Sequence, residues 1–114
     1  MNKPDYTYRA VVSSIYDGDT IRVSLDLGFN TWIHNQALRL SGIDAPEISG
    51  VERPEGIKSR DWLREKLPIG TAIVVKTYKD KKEKYGRYLA DLYIDDTNIN
   101  IEMISLGLAT KYQG

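Results

Sequence analysis

Alternating hydrophobic and polar positions divide the first part of the chain into three strand-like segments. These segments cover residues 6–16, 20–25 and 31–40, and they are rich in aromatic and β-branched residues. Short polar stretches separate them, and the first, "DGDT" at 17–20, contains the Asp-Gly pair that is typical of hairpin turns. The pattern therefore predicts an antiparallel meander of three strands.

A helical pattern follows the meander. Pro54 suits the first turn of a helix, and the apolar residues Trp62, Leu63 and Leu67 fall on one side of it. Pro68 then ends the helix, because proline removes a backbone donor and clashes with the preceding turn. We expect this helix to pack its apolar side against the strands.

Two more strands and a short helix complete the pattern. Segments 71–78 and 87–94 are β-branched or alternating, and a loop rich in lysine joins them. The last helix is predicted to start at an Asn98 or Asn100 cap and to end near Gly107. Five strands with a helix between the third and fourth are the layout of an OB-fold β-barrel, here with a second short helix after the fifth strand.

Length and composition limit the alternatives. A chain of 114 residues suggests a single domain over 1–114, and the absence of cysteine excludes disulfides, thiolate catalysis and cysteine zinc sites. No apolar stretch approaches the roughly 20 residues of a membrane span, and no signal-peptide pattern is present. We therefore expect no membrane partner, and a cytoplasmic protein unless a leader has been removed.

Charge is balanced overall but unevenly distributed. The 16 basic and 16 acidic residues cancel, which argues mildly against a nucleic-acid binder of the usual basic kind. However, residues 76–87 contain six basic and two acidic residues. The molecule should therefore be electrostatically polarised, with its acids concentrated elsewhere.

Asp19 falls where a core residue is expected. It has the same parity as Ile21, Val23 and Leu25, which should face the inside of the barrel. A charge there is costly unless a cation or an arginine pairs with it. The alternative interpretation is that "DGDT" serves only as a turn, and for Asp17 that interpretation is sufficient.

A second group of charges lies in "LRLSGIDAPE". Arg39 and Asp44 would face opposite ways on an unbroken strand, but a bend or bulge at Gly42 would bring them together with Glu47. The alternative is that Asp44 and Glu47 are solvated loop acids. Arg87, which follows Gly86, is either an exposed surface arginine or a further member of this group.

Together these residue types suit phosphodiester hydrolysis. Carboxylate oxygens select hard cations such as Ca²⁺, Mg²⁺ or Mn²⁺, and arginines present forked donors to phosphate oxygens. The cation offsets phosphate charge and organises water, while the arginines stabilise the charge that builds at phosphorus.

Three segments resemble the signature blocks of the staphylococcal nuclease (thermonuclease-like) family. They are "DGDTIRV", "LRLSGIDAPE" and "EKYGRYLADLYI", in the family's order and at similar spacing, and "SLGLATKY" resembles its segment after the second helix. The resemblance covers residues 8–112. It implies a five-stranded OB-fold barrel that cuts DNA and RNA with calcium, leaves 3′-phosphate ends and shows low sequence specificity.

The resemblance also implies roles for individual residues. The metal ligands would be the carboxylates of Asp19 and Asp44 and the backbone carbonyl of Ala45. Glu47 would orient or deprotonate the attacking water. The phosphate-contacting and nucleotide-binding residues implied in the same way are Arg39, Arg87, Lys84, Tyr85 and Tyr112.

Two departures from the family's best-known member accompany the resemblance. We expect no third helix in this chain, and a monomer that could dimerise through the surface which that helix would cover, and the connection over 26–36 is expected to be longer. The expected substrates are single-stranded DNA, RNA or frayed duplex DNA. The alternatives are a non-catalytic OB-fold module that binds single-stranded nucleic acid and a protein-interaction domain.

Overall fold

Over the described residues, the fold is a closed β-barrel with two α-helices. The computed structural model describes residues 6–82 and 85–112, except for the side chains of 79–82. The strands and helices are β1 (Thr7–Asp17), β2 (Thr20–Asp26), β3 (Trp32–Leu40), β4 (Ile43–Asp44), α1 (Arg53–Lys66), β5 (Ala72–Lys82), β6 (Tyr88–Ile94), β7 (Thr97–Asn98), α2 (Ile99–Ser105) and β8 (Thr110–Lys111).

The strand order confirms the predicted OB-fold. The main sheet runs β3-β2-β1-β5-β6-β7, with antiparallel neighbours throughout. It closes because β3 also pairs with β6 in parallel, with Leu38 opposite Tyr88 and Leu40 opposite Ala90. Closure leaves the ends of the barrel as rims to which several turns contribute.

Alternation along the strands fills the barrel. Ile21 and Val23 are fully buried, as their parity predicts, and so is Leu38 of β3. Leu63 of α1 and Met103 of α2 are also fully buried in the same apolar core. Each fully buried side chain of this size contributes about 1.5–3 kcal/mol of transfer free energy. Neither helix in the described residues is long and apolar enough to cross a membrane.

Both predicted helices are present. Asn98, rather than Asn100, caps α2, since its side chain accepts a hydrogen bond from the Ile101 N–H at 3.1 Å. Asn100 is instead buried, where its amide donates to the carbonyls of Ser41 and Ala90. Gly107 has a φ of +74°, which suits the residue that ends a helix.

The strand boundaries near the basic segment differ from the prediction. β5 continues to Lys82 instead of ending at residue 78, and β6 begins at Tyr88. A register shift between Thr77 and Lys82 allows Lys82 to pair with Tyr88. Pairing with β6 thus extends a strand through residues whose composition indicated a loop. The predicted nucleotide-binding residue Lys84 lies outside the described residues.

The long connection over 26–36 is mostly strand. β2 and β3 extend as a hairpin, and only residues 27–31 form the turn between them. Phe29, at the tip, is fully exposed. Residues 26–36 therefore belong to an extended hairpin, and they do not form a separate irregular loop.

Candidate functional site

Side chains from three turns meet at one rim of the barrel. Asp19 lies in the turn between β1 and β2, Asp44 ends β4, and Arg87 precedes β6. Arg39, near the end of β3, lies between the two acids.

Asp19 is buried, as the parity of β2 predicts. Only 7% of the residue is exposed. Its Oδ2 accepts a hydrogen bond from the Ala45 N–H at 2.8 Å, and its Oδ1 accepts one from the Thr20 hydroxyl at 3.3 Å. The Asp19 N–H in turn donates to Oδ1 of Asp17 at 3.0 Å. These bonds orient the carboxylate within the rim and join it to the segment that carries Asp44.

Arg39 contacts both predicted metal-ligating carboxylates. Its Nη2 lies 3.4 Å from Oδ2 of Asp19 and 3.3 Å from Oδ1 of Asp44. Since one nitrogen touches both oxygens, those oxygens are no further apart than these two distances together. The other terminal nitrogen donates to the carbonyls of Leu40 and Ile43, each at 2.9 Å, which holds the guanidinium in place.

The bend predicted at Gly42 produces this convergence. Gly42 has a φ of +76°, a conformation that favours glycine, and it lies between the ends of β3 and β4. β4 then pairs with β8, with Asp44 opposite Thr110, and the Tyr112 N–H donates to the Gly42 carbonyl at 2.9 Å. The last described residues therefore hold the Asp44 turn against the barrel.

Burial raises the pKa of the Asp19 carboxyl to about 6. Loss of solvent is the largest cause, because it disfavours the charged form. The nearby charge of Asp17 raises the pKa further, whereas the Ala45 N–H and the Arg39 guanidinium lower it. An ionised Asp19 is thus incompletely compensated by the protein groups around it.

The Asp19 and Asp44 carboxylates fit a hard divalent cation. Two carboxylates lie close together, and the buried one is short of compensating charge. Among the described residues, no group of three or more histidine, aspartate or glutamate side chains could hold a metal. A cation here would therefore take its other ligands from water and a backbone carbonyl such as that of Ala45.

Arg87 reaches the same rim through Thr20. Its Nη1 donates to the Thr20 hydroxyl at 3.0 Å, and that hydroxyl donates to Asp19. The Arg87 guanidinium also lies 5.3 Å from the centre of the Tyr85 ring. On the other side of the acids, the Arg39 guanidinium lies 5.7 Å from the Tyr112 ring. Each arginine is thus stacked near a partly exposed tyrosine.

Glu47 lines an acidic groove beside Asp44. The groove has a volume of about 160 Å³, and its lining includes Asp44, Ala45, Glu47 and Glu52. The Glu47 N–H donates to Oε1 of Glu52 at 3.0 Å. The structure therefore brings Glu47 to the same groove as Asp44 and Ala45, while its side chain remains exposed.

Helix α1 fixes the Glu47 main chain from the other side. Gly56 approaches so closely that a Cβ at this position would lie 1.9 Å from the Glu47 carbonyl oxygen. Gly18 plays a similar part under Ala45, where a Cβ would lie 2.7 Å from the Ala45 Cβ. Glycine at both positions lets the Asp44–Glu47 segment lie against α1 and against the β1–β2 turn.

Replacing Gly56 by alanine should destabilise the protein despite its position in a helix. Alanine normally favours a helix over glycine by about 1 kcal/mol. Here the overlap with the Glu47 carbonyl should outweigh that gain and lower the free energy of unfolding by about 1–3 kcal/mol. Urea denaturation would measure it, with exposed Lys58→Ala on the same helix as a control that should change by less than about 0.5 kcal/mol. A more stable Gly56→Ala protein would contradict this packing.

Several residues that shape the site were not predicted from the sequence. Thr20, the last residue of "DGDT", accepts a hydrogen bond from Arg87 and donates one to Asp19. Glu52, which no sequence pattern indicated, accepts a hydrogen bond from the Glu47 main chain. For Gly56, an isolated glycine within a predicted helix was the available signal, since it is unfavourable there without a packing reason.

Comparison with known proteins identifies relatives of this chain. A family model described as "Staphylococcal nuclease homologue" matches residues 37–114. Residues 37–114 include Arg39, Asp44, Glu47 and Arg87.

Three relatives illustrate the similarity. "Endonuclease YhcR" of Bacillus subtilis (strain 168) is 28% identical over 92% of this chain, which spans 9% of that protein. "Uncharacterized protein MJ1439" of Methanocaldococcus jannaschii is 30% identical over 92% of this chain and 59% of its own length. "Thermonuclease" of Staphylococcus intermedius is 28% identical over 87% of this chain and 56% of its own length. The chain thus spans less than two thirds of each of these relatives.

Proposed function

The chain belongs to the staphylococcal nuclease homologue family, and on that premise we propose that it is a calcium-dependent nuclease of low sequence specificity. It would hydrolyse phosphodiester bonds of DNA and RNA at the 5′ oxygen and leave 3′-phosphate ends. The observation that carries the proposal is the position of Arg39, which contacts both Asp19 and Asp44 at a rim that Arg87 also reaches.

Asp19, Asp44 and the carbonyl of Ala45 are the residues that would hold the cation. Their hard oxygen atoms suit calcium, with Mg²⁺ or Mn²⁺ as further candidates. When bound, the cation would offset charge on the phosphate and organise water. The Ala45 N–H supports this role for Asp19, because its bond to Oδ2 fixes the orientation of a carboxylate that is otherwise poorly compensated.

The two arginines would grip the phosphate. Arg39 is anchored by two backbone carbonyls and Arg87 by Thr20, so each guanidinium is positioned before substrate arrives. Such preorganised donors stabilise the charge that develops in the transition state. Arg87 would also assist departure of the 5′ oxygen.

Glu47 would orient the attacking water and accept its proton. Its main chain is fixed by Glu52 and by the close approach of Gly56, while its side chain remains exposed in the acidic groove. A glutamate whose main chain is fixed and whose carboxylate faces solvent is suited to hold a water in line with a phosphate.

Single-stranded DNA, RNA and frayed duplex ends are the substrates that we propose. The rim of a barrel can contact the backbone of a splayed strand more readily than it can contact a phosphate within a stiff duplex. Tyr85 and Tyr112, both exposed beside the arginines, offer faces on which bases can stack without strong sequence preference.

Incubation of the protein with plasmid, single-stranded DNA and RNA tests this function. Calcium should produce progressive fragmentation, and a chelator should abolish it. End-labelling of the fragments should show 3′-phosphates. A gel shift without cleavage in calcium, magnesium or manganese would instead identify a non-catalytic binding module.

Arg87→Lys should reduce calcium-dependent cleavage by about 10²-fold. Lysine keeps the charge but lacks the fork that reaches Thr20 and a phosphate oxygen together. The measurement is the initial rate on a labelled oligonucleotide, with Arg60→Lys on α1 as a matched control, since Arg60 pairs with exposed Asp61. Equal rates for the two variants would remove Arg87 from the mechanism.

A further inference from the structure

A basic groove leads away from Arg87 along the outside of the barrel. Its volume is about 660 Å³, within the usual range for ligand sites. β1, β2 and α1 form its walls together with the segment around Gly86. Its charged and aromatic side chains are those of Arg22, Arg64, Arg87, Tyr16 and Tyr85.

The charge of this groove is opposite to that of the acidic groove. Among the described residues, the lining of the basic groove contains three arginines and no carboxylate. The acidic groove is lined by Asp44, Glu47 and Glu52, with no lysine or arginine among its described lining residues. An anionic ligand is therefore favoured on the Arg87 side of the rim and a cation on the Asp44 side.

Arg22 and Arg64 keep donors available to a ligand. Arg64 directs Nε and Nη2 at the Ile15 carbonyl, at 3.2 and 2.9 Å, so that Nη1 remains. Arg22 uses Nη1 on the Asn35 carbonyl at 2.8 Å. Both side chains are exposed yet held at one edge by a main-chain oxygen, and ordered guanidinium groups of this kind suit phosphate oxygens.

Two exposed tyrosines border the same groove. Tyr16, at the end of β1, is 64% exposed, and Tyr85, beside Arg87, is 71% exposed. A positively charged groove bordered by aromatic side chains is the arrangement with which proteins bind successive nucleotides of a single strand. A small anion would use the arginines but would leave the tyrosines unexplained.

We propose that the basic groove binds the part of a single-stranded polynucleotide that flanks the phosphate at Arg87. Arg22 and Arg64 contact a flanking phosphate, and a base stacks on Tyr16. This inference rests on the proposed function for the placement of the reacting phosphate, but the groove's affinity for single strands can be measured without cleavage. It makes chain length a determinant of substrate affinity.

The test is binding of a fluorescein-labelled 12-nucleotide single strand in chelator, followed by anisotropy over a range of salt concentrations. Arg22→Gln and Arg64→Gln should each weaken binding about threefold or more. Each should also lower the slope of log K against log salt by about 0.7, the value for one phosphate contact on a single strand. Arg60→Gln, on α1 but outside the groove lining, should change neither quantity.

Further measurements separate the possible failures. Circular dichroism melting checks the fold, and Arg22→Gln remains informative if Arg64→Gln loses stability with its bond to Ile15. Unchanged affinity and salt slope in Arg22→Gln, or no binding by the unaltered protein, would contradict the proposal that the basic groove binds a single strand. Binding that depends on Arg22, in a protein that shows no cleavage with calcium, would support strand binding by the basic groove and contradict the proposed nuclease activity.

In an active protein, kinetics give a second measurement. Arg22→Gln should raise KM for the 12-nucleotide strand and leave kcat unchanged, since the proposal assigns Arg22 to a flanking phosphate and Arg87 to the reacting one. Cleavage of a dinucleoside monophosphate, whose only phosphate is the reacting one, should be unaffected. An equal loss on both substrates would contradict the inference.

Discussion

Glu47→Gln is expected to reduce calcium-dependent cleavage by about 10²- to 10⁴-fold, the range for loss of a general base. Glutamine has nearly the same shape, but its amide cannot accept a proton from water. The Glu47 main chain is fixed by Glu52 and Gly56, so the substitution should leave the segment in place. Initial rates at saturating calcium and substrate would measure the effect on kcat.

The control for this variant is Glu55→Gln. Glu55 is an exposed acid in the first turn of α1 and does not line the acidic groove. It should retain full activity. If Glu47→Gln also retained activity, another group would have to activate the water, and the exposed carboxylate of Glu47 would have no part in the reaction.

Asp19→Asn should abolish the response to calcium and, at the same time, stabilise the metal-free protein. Loss of a direct ligand should weaken activity by more than the roughly 10- to 100-fold that follows loss of a supporting contact to a metal ligand. Stability should rise because asparagine keeps an oxygen for the Ala45 N–H but carries no charge to be desolvated.

The pH dependence gives the sign of the stability effect. The pKa of Asp19 rises from 3.8 to about 6 on folding. A raised carboxyl pKa stabilises the folded state below the unfolded value, and this contribution is lost as pH rises through the folded value. The advantage of Asp19→Asn should therefore be absent below pH 4 and grow between about pH 4 and pH 6, to at most about 3 kcal/mol at neutral pH.

Urea denaturation in chelator at several pH values would measure this difference. The surface variant Asp61→Asn serves as a control and should stay within about 0.5 kcal/mol of the unaltered protein at each pH. A less stable Asp19→Asn protein at neutral pH would mean that the ionised carboxylate is well compensated in the folded state. The opposed effects on activity and stability would mark Asp19 as a residue kept for binding a cation.

Local patterns predicted the architecture and the position of Asp19. Alternation in β2 placed Asp19 with Ile21 and Val23, and all three are buried. The glycine of "SGID" predicted the bend that turns Asp44 towards Arg39, and Gly42 has the required positive φ. These predictions succeeded because strand parity and glycine conformation depend on a few neighbouring residues.

Other features depend on contacts between distant segments. The extension of β5 to Lys82 comes from pairing with β6, which overrides the loop-like composition of the basic segment. The short strands β4 and β8 also exist only as a pair, in which Asp44 lies opposite Thr110. Each of these strands has only two residues, and the β-propensity of two residues is too weak to predict a strand.

By itself, the sequence determined the order of strands and helices, the inward position of Asp19 and the kinds of charge available for chemistry, because hydrophobic period and turn residues act locally. Only the tertiary structure decided which charges meet. Barrel closure brings one Arg39 nitrogen against both Asp19 and Asp44, and packing of α1 places Gly56 under Glu47. The tertiary structure also places the acidic groove and the basic groove at different positions. The direction of each lining side chain depends on contacts between residues far apart in the chain.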